Sequence, residues 1–131
     1  DFSDLLEKAI SFVESGRGGE LMPTKKNDFP ISWQRFVSLY HKNSNENVFP
    51  FRNSDLKSKA LSKIKKPILL VLGENDKYLY DYNIKSVVDA IKEDAENAEI
   101  FDYTVIKNTE HSFKGKEKEL AKNVVSWAKK F

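Results

Sequence analysis

Two side chains in this sequence are suited to moving protons and stand where such chemistry could be assembled. Asp76 closes the stretch PILLVLGEND, just past five consecutive aliphatic residues (Ile68 to Leu72) and Gly73. His111 lies in KNTEHSFKG, just past a run in which Phe101, Tyr103 and Val105 alternate with Asp102 and Thr104. A carboxylate beside an imidazole keeps one ring nitrogen protonated and leaves the other free to act as a base. Each residue has a plainer reading. Asp after Gly-Glu-Asn is a common turn former through its short side chain, and a lone His in a polar loop is ordinarily solvated. It is the coincidence of the two positions that points to chemistry. Glu74, Asn75 and Glu110 flank the pair as competing acids or supporting groups.

The elements that must position this pair come next. A continuous aliphatic run after Pro67 predicts a strand buried on both faces, as inside a parallel sheet. Proline can open it because a first strand residue need not donate to the ladder. Gly73 lets the chain turn as it leaves the sheet. Lys77 to Tyr82 is a loop, and a helix follows with Ile84, Val87, Val88, Ile91 and Ala95 on one face. Residues 99 to 106 predict a half-exposed strand suited to a sheet edge. The last helix, Lys116 to Phe131, places Leu120, Val124, Trp127, Ala128 and Phe131 on a core stripe. Strand, helix, strand, helix implies two parallel strands joined by a right-handed crossover. Asp76 and His111 would then share one rim.

The first half reads differently. Residues 3 to 15 predict a helix with Leu5, Leu6, Ala9, Ile10 and Val13 on one stripe, Ser3 as its cap and Gly16 as its stop. Residues 16 to 30 are rich in breakers and predict a loop. Ser32 caps a second helix carrying Trp33, Phe36, Val37 and Tyr40 at i, i+3, i+4 and i+7. Residues 41 to 54 form a polar loop interrupted by Phe49-Pro50-Phe51, and Asp55 to Ile64 is a candidate short helix. The division expected is a helical cap or lid over 1–64 and a βαβα part of a core over 65–131.

Composition bounds the rest. At 131 residues, 40% hydrophobic and 12% aromatic, the chain can bury a core. Lys+Arg 22 against Asp+Glu 20 leaves a formal net charge of +2, with the lysines interleaved among acids. Nucleic acid and membrane surfaces therefore find little electrostatic footing as partners. There is no cysteine, so no disulfide or thiolate chemistry. With only His41 and His111, no metal-ligand spacing appears, and no cofactor is expected. His41, at the end of the second helix, suits a favourable charge near the last carbonyls. Lys114 to Lys122, with Glu117 and Glu119 among them, reads as a solvated face. No apolar run is long enough to span a bilayer. The expectation is a cytoplasmic protein, and a first residue of Asp leaves room for an upstream segment.

Residues 64 to 131 resemble the end of an α/β-hydrolase, of the small dienelactone-hydrolase-like or esterase-like serine hydrolases. The stretches that carry the resemblance are IKKPILLVLGENDKY and VIKNTEHSFKGKEKELAKNVVSWAKKF. The G-x-x-D turn of that family bears the triad acid, which falls on Gly73 and Asp76 here. Its H-x-F segment, followed by a Lys/Glu-rich amphipathic helix, bears the triad histidine, which falls on His111. PISWQRFVSLYHKNSNENVFPF is similar to the cap of some members. The resemblance implies an α/β fold of which this chain is the carboxyl-terminal part. It also implies a serine hydrolase acting on a small carboxylic ester or related acyl substrate. The order Asp then His is that of the last two triad members.

The departures matter as much. The sequence contains no G-x-S-x-G, and the glycines at 16, 18 and 19 follow a helix rather than a strand. The family's oxyanion loop and earlier strands are absent as well. The nucleophile and the oxyanion donors would come from an amino-terminal half of the same protein, and the chain alone would be inactive. Trp33 and Phe36, with Tyr40, could roof an acyl pocket or fasten the cap to its body. Tyr78, followed by Tyr80 and Tyr82, could line the entrance or be ordinary loop aromatics. The rival to an enzyme is a non-catalytic interaction module that pairs the unmatched edge of strand 68–72 with a second copy. A flavodoxin-like strand order stays open too.

Overall fold

A computed structural model describes residues 2–23, 29–49, 57–79 and 82–131. The chain divides into two compact units, Asp1–Ala60 and Leu61–Phe131. Its architecture is mixed, with helices and a small open sheet of two parallel strands, consistent with the α/β class. Among the described residues, no helix is long and apolar enough to cross a membrane.

The first unit is held by an aromatic cluster. Helix α1 (Phe2–Glu14) starts before Ser3, so that residue lies in its first turn rather than capping it. Gly16 ends the helix with φ 78°, a value glycine adopts without a Cβ penalty. Arg17 then donates from its backbone to Phe12 O (2.8 Å) and grips Glu20 through Nε and Nη2 (2.7 and 2.8 Å). The described residues on either side of 24–28 are tied to one another. Leu21 and Ser32 form an isolated antiparallel bridge, and Met22 N–H donates to Ile31 O (2.9 Å). Ser32 caps helix α2 (Trp33–Tyr40), its hydroxyl accepting from Arg35 N–H (3.2 Å). Ala9, Met22, Trp33 and Phe36 form the buried centre, with Leu6, Phe12, Ile31, Val37 and Tyr40 around it. Phe12 stacks on Trp33 (centroids 4.5 Å, 30°), while Leu5 stays exposed, so the α1 face is turned from the expected stripe. Each buried aromatic contributes roughly 1.5–3 kcal/mol of transfer free energy.

The second unit carries the sheet. Within 57–64, the described part of the helix expected from Asp55 to Ile64, the chain forms the 3-10 turn Leu61–Lys63. Residues 50–56, which include Pro50, Phe51 and Asp55, lie outside the described residues, as do 24–28 and 80–81 with Tyr80. Strand β1 (Ile68–Gly73) pairs in parallel with β2 (Phe101–Ile106), in register from Ile68↔Phe101 to Gly73↔Ile106. Asn83 caps α3 (Ile84–Asp94) by accepting from Lys85 N–H (2.8 Å), and Val87, Val88, Ile91 and Ala95 are buried as the periodicity predicts.

Three expectations are corrected here. β1 is not buried on both faces: Ile68 to Val71 are only half-buried, because β2 is its one ladder partner among the described residues. Tyr103 points away from cover and is exposed, whereas Asp102 is half-buried and accepts from Trp127 Nε1 (2.7 Å). The stripe of α4 (Glu117–Ala128) is not a core stripe, since none of its residues is buried and Val124, Val125 and Phe131 are exposed. Periodicity marks which face is apolar, but not whether anything lies against it. At the start of α4, Glu117 takes over from an N-cap without a side-chain bond. Its own backbone N–H and that of Gly115 hold its carboxyl below the ordinary value.

Candidate functional site

The site is built by two loops leaving the same end of the sheet. β1 and β2 run parallel and finish level at Gly73 and Ile106. The turn 74–79 and the loop 107–116 therefore start side by side. They are then stitched together by backbone. Glu74 N–H donates to Ile106 O (2.9 Å) and Asn75 N–H to Thr109 O (2.9 Å). The Glu74 side chain returns to accept from Asn108 N–H (2.9 Å), at a residue whose φ of 53° suits asparagine.

Gly73 permits this closeness. A Cβ there would stand 2.7 Å from both Thr109 O and Glu110 O, inside any tolerable contact. The glycine matters for what approaches it, more than for the turn it begins.

Within this frame Asp76 and His111 meet. His111 Nδ1 lies 2.8 Å from Asp76 Oδ2. A carboxylate only accepts, so Nδ1–H is the donor and Nε2 carries the lone pair in the neutral ring. The other carboxylate oxygen, Oδ1, accepts from Tyr78 N–H (2.9 Å), and Asp76 O accepts from Leu79 N–H (3.0 Å), which opens the 3-10 turn Lys77–Leu79. Exposure separates the partners sharply. The Asp76 side chain is 6% exposed, and the His111 side chain 63%. An ordered buried acid and an accessible imidazole are the arrangement a positioned general base requires.

His111 itself rides on a tight double turn. Phe113 N–H donates to Glu110 O (3.1 Å) and Lys116 N–H to Phe113 O (2.9 Å), with Phe113 at φ 53°. A bulky residue in that region is uncommon, and the two turns fix it there. Tyr78 closes the other side, its ring meeting the imidazole edge to face (centroids 4.7 Å, 72°). Thr109, two residues before His111, is buried, and its hydroxyl has no hydrogen-bond partner among the described residues.

The remaining candidates fall elsewhere. Trp33 and Phe36 are 2% and 7% exposed and belong to the core of the first unit. His41, the residue that closes α2, accepts at Nδ1 from Asn43 N–H (3.2 Å), a turn contact. Among the described residues no group of three or more His, Cys, Asp or Glu could hold a metal ion. Sequence reasoning named Asp76, His111 and Tyr78. It missed the Glu74 clamp on Asn108, the carbonyls pressed against Gly73 and the orphan hydroxyl of Thr109. A strand ending in glycine, opposite a loop with Asn108, was the available signal for the first two.

The second unit is thus a parallel α/β arrangement with an acid and an imidazole bonded at one rim. Comparison with known families adds one finding. The model of a family described as protein of unknown function (DUF1749) matches residues 1–129, and the chain belongs to that family. No curated protein and no solved structure matches it.

Proposed function

We propose that this chain supplies the acid and base of a serine hydrolase acting on a small carboxylic ester or related acyl substrate. The observation that carries the reading is the 2.8 Å bond between His111 Nδ1 and buried Asp76, made beyond the carboxyl ends of adjacent parallel strands. In the reaction His111 Nε2 takes the proton of a serine hydroxyl as it attacks the acyl carbon, then returns that proton to the leaving alcohol. Asp76 holds the ring in the required tautomer and stabilises the imidazolium. The serine and the oxyanion donors belong to polypeptide outside these 131 residues, since no G-x-S-x-G occurs within them. The test is hydrolysis of a chromogenic short-chain ester by the longer polypeptide that contains this sequence. His111→Ala there should lower turnover by about 10⁴-fold or more, and the isolated chain should give no inhibitor-sensitive turnover. An unchanged rate in the variant removes the assignment.

A second reading is favoured by the half-buried state of β1. The chain would act as an interaction module in which another strand completes the sheet beside β1, a second copy being the simplest source. Sedimentation across a range of concentrations should then show a dimer, and a monomer throughout counts against it.

A further inference from the structure

The hydrogen bond from Asp76 leaves one freedom in the imidazole unaccounted for. A single hydrogen bond at Nδ1 leaves the ring able to rock, swinging Nε2 through an arc and pulling Nδ1–H out of line with Oδ2. At 63% exposure of its side chain, His111 has little surrounding surface to stop that motion. Among the described residues the aromatic ring that meets it is that of Tyr78, edge to face at 4.7 Å and 72°. Tyr78 is in turn placed by the same carboxylate, since Asp76 Oδ1 accepts from its backbone N–H at 2.9 Å. One buried acid thus fixes the imidazole by one oxygen and the residue that flanks the imidazole by the other.

We infer that Tyr78 is a positioning residue that sets the plane of the His111 ring, and so the direction of Nε2, through the contact of the two rings. This rests on reading Asp76 and His111 as acid and base. It goes beyond the two roles open to Tyr78 in the sequence, an entrance-lining residue or an ordinary loop aromatic. The contact needs the ring and not the hydroxyl, so phenylalanine should substitute for tyrosine and an aliphatic residue should not. Tyr78 is about half exposed, so truncating it opens no core cavity.

The experiment is nitrogen-15 NMR of the His111 imidazole in the whole 131-residue chain, at about pH 9 where a histidine is neutral. In the unaltered chain and in Tyr78→Phe, the two ring nitrogens should be well separated, with the proton on Nδ1. Cross-relaxation should link the Tyr78 and His111 ring protons. In Tyr78→Leu the nitrogen shifts should move toward each other as the bond is broken part of the time. Nitrogen shifts in Tyr78→Leu that match the unaltered chain overturn the proposal. So does an absence of ring-to-ring cross-relaxation in the unaltered chain, a readout that needs no variant to fold. Asp76→Asn separates the two levels. Its amide oxygen would be taken by Tyr78 N–H, turning the NH₂ group toward Nδ1 and moving the ring proton to Nε2. If Asp76→Asn leaves the tautomer as it was, the acid–base pair itself fails. If it flips the tautomer while Tyr78→Leu changes nothing, only the role of Tyr78 fails.

Discussion

The centre of the first unit and the rim of the second use the same kinds of side chain in opposite ways. Around α2 the rings of Trp33 and Phe36 are enclosed together with Ala9 and Met22. At the rim a carboxylate is enclosed, while an imidazole and a tyrosine ring remain accessible. Burying an aromatic is favourable in itself. Burying Asp76 is costly unless it is bonded, and its two carboxylate oxygens accept from His111 Nδ1 and from the backbone N–H of Tyr78. The contrast teaches that the exposed member of a polar contact, read together with its buried partner, marks a site better than an aromatic face does.

That contrast can be broken at several points. The largest effect expected is the loss of turnover on His111→Ala described above, which should cost only about 1 kcal/mol of stability, as water takes the place of the exposed ring at the Asp76 carboxylate. Trp33→Ala should show the reverse, costing about 3–5 kcal/mol in urea unfolding. His111 nitrogen shifts in the molecules still folded should match the unaltered chain. Gly73→Ala should lie between the two, costing about 1–3 kcal/mol as the Thr109 and Glu110 carbonyls are forced away. The same substitution should collapse the separation of the His111 nitrogens, and a preserved separation would mean the loops do not depend on that contact. Thr109→Val is the mildest. Removing a buried hydroxyl that lacks a partner should raise stability by about 1 kcal/mol, and a loss of that size would mean the hydroxyl is bonded in solution.

Much of this was legible from residue order alone, and the limits have physical causes. The aliphatic run 68–72, the alternation at 101–106 and the stripe of α3 are local patterns that each report a period. They placed Asp76 and His111 at one rim before any coordinates. Two helices show where such reading stops. α3 and α4 carry comparable apolar stripes, yet α3 buries Val87, Val88 and Ile91 while α4 buries nothing. A stripe is a property of one helix, and cover is a property of its neighbours. The same reasoning explains why β1 reads as central but is only half-buried. Contacts between loops were illegible for a different reason. The bond from Asn108 to Glu74 and the carbonyls at Gly73 join residues more than thirty positions apart, through geometry that no period encodes.

Because β1 and β2 end level, each member of the pair is placed by counting from its own strand terminus, three residues beyond Gly73 and five beyond Ile106 (76 − 73 and 111 − 106). The crossover between them, α3 included, does not enter that count. A relative could lengthen the helix by several turns and keep the two groups in touch, while one residue inserted between Gly73 and Asp76 would pull them apart. Spacing along the chain is therefore a poor yardstick for recognising this arrangement in distant sequences, and offset from the paired strand ends is the measure to compare.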